Sequence, residues 1–113
     1  MRLPNGDRVF LGNKLERYVL NSEHPIARHK AIVFASALGI TRANSQVLAD
    51  ALLRAAADAD DAIPRGDRGH GEVFDLRFRL QTPAGAAVVA SGWIVRRGED
   101  FPRLTSCYIV RAR

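Results

Sequence analysis

Three histidines, His24, His29 and His70, are the side chains of this 113-residue chain best suited to moving a proton near neutral pH. His24 and His29 are five residues apart, the wrong spacing for two metal ligands on one helical face, and no third ligand lies nearby in sequence, so no metal is expected. His24 precedes Pro25 at the expected start of a helix, where unpaired backbone N–H groups favour an anion. With Arg28 one turn on and Lys30 nearby, His24 would sit against a bound phosphate. The plainer alternative is that His24 caps the helix and Lys30 is solvated. His70, between two glycines, is either an exposed loop residue or part of a loop that closes over a substrate. The lone Cys107 falls on an expected strand as a small buried hydrophobe, with no base to make it a nucleophile.

Ser106 and Tyr108 are two apart on the same expected strand and therefore share a face. Two adjacent hydroxyls could hold a phosphate oxygen or donate to an oxyanion; a solvated polar face with tyrosine packed along the sheet is the commoner arrangement. If Arg77 and Arg79 of an earlier strand share that face, two guanidinium groups join the two hydroxyls as a phosphate-binding surface. The sequence contains no phosphate-cradling glycine loop, no Gly-x-Ser-x-Gly and no His-Glu-x-x-His. Gly66-Asp67-Arg68-Gly69 lacks the lysine and helix that a phosphate loop needs. Asp58, Asp60 and Asp61 are too close in sequence to read as the paired carboxylates of a hydrolase.

Hydrophobic spacing changes once, from helical to strand-like, near residue 65. Residues 8–11 read as a short strand or extended arm. Asn13 and Glu16 have capping-box spacing at the head of a helix with Leu15, Tyr18 and Val19 on one face, ending near Asn21. Pro25 is expected to open a second helix capped by His24, with Ala31, Phe34, Ala35 and Leu38 buried and Gly39 as its stop. A third, capped by Thr41 or Asn44, would bury Val47, Leu48, Ala51, Leu52 and Ala55. Residues 63–71 read as a flexible loop. Beyond it Phe74, Leu76, Phe78 and Leu80 alternate with Asp75, Arg77, Arg79 and Gln81, as in a half-buried antiparallel strand. A central strand over 86–96 and a last strand over 104–111 follow. The expected fold is α+β: two to three N-terminal helices, about residues 13–61, packed on one face of a three- to four-stranded antiparallel sheet, about residues 72–111. One domain, 1–113, accounts for the whole length.

Composition sets the remaining bounds. Apolar residues at 47% and charged residues at 26% suit a globular domain. One cysteine excludes an internal disulfide framework. The longest apolar run, residues 31–40, is too short to span a bilayer, and the N-terminus does not read as a secretory signal, so a cytosolic setting without membrane is expected. The net charge is +5, and Lys14 and Lys30 are the only lysines among 17 cationic residues. An arginine bias of this kind arises from base composition or from phosphate recognition, and by itself points only weakly to nucleic acid.

The run Lys14-Leu15-Glu16-Arg17-Tyr18-Val19-Leu20-Asn21, then His24-Pro25 and Arg28-His29-Lys30-Ala31, resembles a family of small bacterial domains of unknown function. Ser91-Gly92-Trp93-Ile94-Val95-Arg96 and Gly98-Glu99-Asp100-Phe101-Pro102-Arg103-Leu104 extend the resemblance over most of the chain. Such domains look like members of the barnase/EndoU/colicin/RelE-like superfamily of metal-independent ribonuclease toxins. The resemblance implies N-terminal helices on a four-stranded antiparallel sheet and a small antitoxin or immunity protein, acidic in character, as partner. It places the family's histidine on His24, its lysine on Lys30, its strand hydroxyl on Ser106, where threonine is more usual, and its tyrosine on Tyr108. Ala27 stands where glycine is common.

Together these residues point to an endoribonuclease that uses neither metal nor cofactor. His24 would move a proton to or from the ribose 2′-OH or the leaving 5′-oxygen. Lys30, with Arg77 or Arg79, would stabilise charge on the phosphate, Ser106 and Tyr108 would orient it, and Arg28 would add to its binding. The competing expectation is a non-catalytic module that binds RNA or a protein through the same basic sheet face.

Overall fold

A computed structural model describes residues 1–110. Two helices, α1 (Arg28–Leu38) and α2 (Ser45–Asp58), precede four strands: β1 (Ile63–Asp67), β2 (Gly71–Thr82), β3 (Gly85–Arg96) and β4 (Arg103–Val110). The strands pair antiparallel in the order β1-β2-β3-β4, each beside its sequence neighbour. This is the α+β arrangement expected from the change of hydrophobic period, with the helices on one face of the sheet.

Alternation along the strands decides which face is covered. Phe74 and Leu76 of β2, Val89 and Trp93 of β3, and Leu104 and Cys107 of β4 point to the helices. There they meet Phe34, Leu38, Leu48 and Leu52 in one buried cluster. Trp93 is fully buried, and its indole Nε1 donates to Ser91 Oγ at 3.0 Å, which in turn donates to the Leu76 carbonyl at 2.7 Å. The core's largest side chain therefore has its polar atom satisfied and ties β3 to β2.

The helices begin differently from the expected pattern. Instead of a regular helix from Asn13, residues Leu15–Val19 form a single π turn, closed by Leu20 N donating to the Leu15 carbonyl at 2.7 Å. The Asn13–Glu16 capping box does not form, because Glu16 turns away and accepts from Ser45 Oγ at 3.4 Å. Regular α1 starts at Arg28, after a turn over residues 25–27 that begins at Pro25. Gly39 ends it with φ 65°, the left-handed conformation that glycine adopts without strain. Within α1, Ala31, Phe34 and Leu38 are buried as expected, but Ala35 is exposed. Thr41 and Asn44 cap a 3₁₀ turn reciprocally: Thr41 Oγ1 accepts from Ala43 N, and Asn44 Oδ1 accepts from Thr41 N. Helix α2 then buries Leu48, Ala51, Leu52 and Ala56, while Val47 is exposed and Ala55 only half-buried. The buried stripe is rotated by one residue towards Ala56.

The largest departure is β1. Residues 63–71, read as a loop, contain a fully exposed edge strand paired to β2, with a register shift between Pro64 and Gly66. All five of its residues are exposed, so hydrophobic alternation could not reveal it. Backbone pairing and an Arg65–Asp75 ion pair at 2.7 Å hold it instead. The sheet accordingly begins at Ile63 rather than near 72. At the other end β4 is described to Val110, and Arg111, the expected end of that strand, lies outside the described residues.

An N-terminal arm fastens the π turn to the sheet. Phe10 bridges to Arg103 in parallel, with Phe10 N donating to the Pro102 carbonyl at 2.9 Å and Leu104 N donating to the Phe10 carbonyl at 3.0 Å. The Arg103 guanidinium lies 4.9 Å from the Phe10 ring centroid and 5.1 Å from that of Phe101, and grips Glu99 with two hydrogen bonds. The short extended segment expected at 8–11 thus becomes an anchor along the start of β4.

Candidate active site

The face of the sheet turned away from the helices carries two rows of side chains set by register. Asp75, Gly92 and Ser106 form one row, and Arg77, Ala90 and Tyr108 form the next. Two small central residues thus lie between larger polar groups on the flanking strands. The result is a depression of about 70 Å³ lined by Asp75, Arg77, Ser106 and Tyr108, with Ala90 and Gly92 as its floor. Such a volume holds several waters or one tetrahedral anion.

Two hydroxyls crowd Gly92 there. A Cβ at this position would stand 2.6 Å from Ser106 Oγ and 2.9 Å from Thr105 Oγ1. Both hydroxyls reach the same point because β4 bulges. Gly92 pairs with Ser106 and Trp93 with Leu104, leaving Thr105 as an extra residue without a partner in the register. Period-two alternation places Thr105 on the opposite face from Ser106, so the sequence pattern does not show it beside Ser106. A bulge leaves no mark in such a pattern.

Helix α1 supplies a cation from the side. Lys30 Nζ lies 5.2 Å from the centroid of the Tyr108 ring, a cation–π contact at the edge of β4. Behind it, a cavity of about 190 Å³ is lined by His29, Lys30, Val33, Tyr108 and Ile109. The nearby Cys107 thiol is pushed up to about 12 by burial, against the opposing influence of Lys30, so it stays protonated at neutral pH and offers no thiolate.

Arg77, Ser106 and Tyr108 therefore line one depression, and Lys30 reaches this group only through the Tyr108 ring. His24, Arg28 and Arg79 are not among the residues that line the depression. His24 packs edge-on against Tyr18, with ring centroids 4.7 Å apart, and its Nδ1 accepts from the backbone N–H of Ile26 and Ala27, each at 3.1 Å. It caps the turn into α1, as its position before Pro25 suggested. With Nδ1 engaged by the backbone, Nε2 is the ring nitrogen that these two hydrogen bonds leave unused. Arg28 is exposed at the first position of α1. Arg79 shares the strand alternation of Arg77 but lines a separate cavity of about 410 Å³ beside Arg54 and Asp58 at the end of α2. It is not a member of the depression.

Two further charged groups border the site. Asp75, on the same face of β2 as Arg77, lines the depression and is paired to Arg65 Nε at 2.7 Å. Lys14 Nζ reaches the Thr105 carbonyl at 3.4 Å from the π turn. Among the described residues no group of three His, Cys, Asp or Glu could hold a metal ion, and no helix is long and apolar enough to cross a membrane.

Residues 2–111 match the family described as Domain of unknown function (DUF6883). The chain belongs to that family. No curated protein matches its sequence. Among solved structures, the DUF6883 domain is similar to a chain of a contact-dependent growth inhibition toxin–immunity protein complex from Klebsiella pneumoniae 342, with TM-score 0.64 and 18% identity. The similarity covers 92% of this chain and 93% of that one. At this identity the likeness establishes a shared fold.

Proposed function

We propose that this DUF6883 domain is a toxin module that cleaves RNA without a metal, and that its sheet face is the active surface. The observation that supports this reading is the grouping of Arg77, Ser106 and Tyr108 around a depression floored by Ala90 and Gly92, with Lys30 held against the Tyr108 ring at the edge of β4. Cations and hydroxyls gathered on a bare floor suit a phosphodiester, whose transition state concentrates negative charge on the non-bridging oxygens. The likeness in fold to a chain of a toxin–immunity complex supports the toxin reading, and it supports an immunity protein as partner. A net charge of +5 favours an acidic one. RNA, the substrate, sets the cytosol as the place of action.

In the reaction, the ribose 2′-oxygen attacks the adjacent phosphorus and loses its proton. The bond to the 5′-oxygen breaks, and that oxygen takes up a proton, leaving a 2′,3′-cyclic phosphate and a 5′-hydroxyl. Arg77 and Lys30 stabilise the phosphorane charge, while Ser106 and Tyr108 orient it. His24 is the proton carrier in this reading. To relay a proton through Nε2 the ring must release the two backbone N–H groups held by Nδ1, which couples proton transfer to movement of the turn at residues 25–27.

That engaged Nδ1 is also the one observation favouring the second reading, a face that binds RNA or a protein without cutting. Incubating purified wild type, Lys30→Met and His24→Ala with total RNA separates the two. Cleavage by wild type that leaves cyclic phosphate termini, lost in Lys30→Met, supports the nuclease. RNA bound with steep salt dependence and recovered intact supports the binding module.

A further inference from the structure

The bulge in β4 sets two hydroxyls, Thr105 Oγ1 and Ser106 Oγ, over Gly92 at one end of the depression. Lys14 Nζ stands at the same level, 3.4 Å from the Thr105 carbonyl, a long contact that engages one of its three N–H groups. Two residues further along the strand, Tyr108 carries the Lys30 ammonium against its ring. One edge of the sheet thus presents two cation-and-hydroxyl stations separated by two residues of strand, about 7 Å. Successive phosphates of an extended single strand are spaced comparably. The one carboxylate in the same row as Ser106 is Asp75, already paired to Arg65 at 2.7 Å, so its repulsion of an anion is offset.

We propose that Lys14, Thr105 and Ser106 form a second phosphate subsite beside the station made by Lys30, Arg77 and Tyr108. The ligand class that follows is extended single-stranded RNA held through two consecutive phosphates, with Lys14 as a binding residue for the phosphate adjacent to the reacting one. The identity of the ligand as RNA rests on the ribonuclease reading; the two-station spacing rests on the geometry. Lys14 and Thr105 come from segments remote in sequence, and only the anchoring of the π turn along β4 brings them side by side.

The test compares a uridine dinucleoside monophosphate with the trinucleoside diphosphate, measuring binding at several salt concentrations and cleavage in parallel. Wild type is expected to bind the longer ligand about tenfold more tightly. Lys14→Met should abolish that preference and lower the salt slope for the longer ligand by about 0.7, while Lys14→Arg preserves both. Thr105→Val should weaken the longer ligand several-fold without altering the slope. Equal affinity of wild type for the two ligands, or a preference untouched in Lys14→Met, overturns the subsite even if both ligands are cut. A preference lost in Lys14→Met with neither ligand cut upholds the subsite and overturns the ribonuclease reading. Binding of neither overturns both. Superimposable circular dichroism of the variants confirms that the fold is intact.

Discussion

Lys30 Nζ lies 5.2 Å from the centre of the Tyr108 ring, joining the first turn of α1 to the edge strand of the sheet. The contact places the charge against the ring of a tyrosine that lines the depression, and the ring keeps the long side chain from wandering in solvent. Replacing Lys30 by Met removes the charge and keeps the stem. Cleavage by Lys30→Met should fall about 10²–10³-fold, the usual effect of losing one donor to a developing oxyanion. Stability should change by only about 0.5–1 kcal/mol, as for a surface cation–π contact. Tyr108→Phe keeps the ring under Lys30 and loses only the hydroxyl, so its folding free energy should match wild type in urea titrations while its cleavage rate drops.

Gly92 is the sharpest steric constraint at the site. Its substitution by alanine puts a methyl group 2.6 Å from Ser106 Oγ and 2.9 Å from Thr105 Oγ1, with both hydroxyls forced aside. Gly92→Ala should destabilise the domain by about 1–3 kcal/mol, as overpacking does, despite alanine's better fit to a strand. Ser106→Ala combined with Gly92→Ala should recover part of that loss, because one of the two opposing oxygens is gone. Urea midpoints of the two single variants and the double variant measure the coupling.

Acid should loosen the N-terminal arm before it reaches the core. The Arg103 guanidinium hydrogen-bonds Glu99 and holds its carboxyl below the ordinary 4.5. Gly69 N–H and the Arg97 guanidinium likewise lower Asp67 at the tip of the β1–β2 hairpin. A carboxyl whose value is lowered by folding contributes stability above its unfolded value, and that contribution is lost as pH falls through the folded one. Wild type should therefore melt above Glu99→Gln at pH 7, with the gap closing as pH falls below the ordinary carboxylate range. Thermal melts across that range check it. Cleavage at neutral pH should be unchanged in this variant, since Glu99 lies outside the depression.

Sequence periodicity carried the architecture because most of the chain packs against one core. The alternation from Phe74 to Leu80 reports a strand with one covered face, and the spacing of Ala31, Phe34 and Leu38 reports a helix with one covered stripe. Where burial does not discriminate, the pattern is silent. Edge strand β1 exposes every side chain and so reads as a loop. The bulge that sets Thr105 beside Ser106 is a backbone event with no hydrophobic signature, and Lys14 meets Thr105 only through the Phe10–Arg103 anchor. Placing Arg77, Ser106 and Tyr108 on one face needed only alternation plus strand order. Separating Arg79 from Arg77 needed the position of the α2 terminus, which no strand pattern contains.

His24 allows its structural and chemical roles to be tested apart. Its Nδ1 accepts from two backbone N–H groups, Ile26 and Ala27, the service that asparagine and aspartate side chains give at helix starts. His24→Ala removes both functions and should cost about 1 kcal/mol along with cleavage. Asparagine keeps an acceptor at nearly the same position, but it cannot carry a proton near neutral pH. His24→Asn should therefore keep a wild-type melting temperature and lose cleavage by about 10²–10⁴-fold, the range for a missing general acid or base. Wild-type cleavage in His24→Asn would leave the histidine as a cap alone. The proton carrier would then have to be sought at the depression, where Asp75 and Tyr108 are the titratable groups in place.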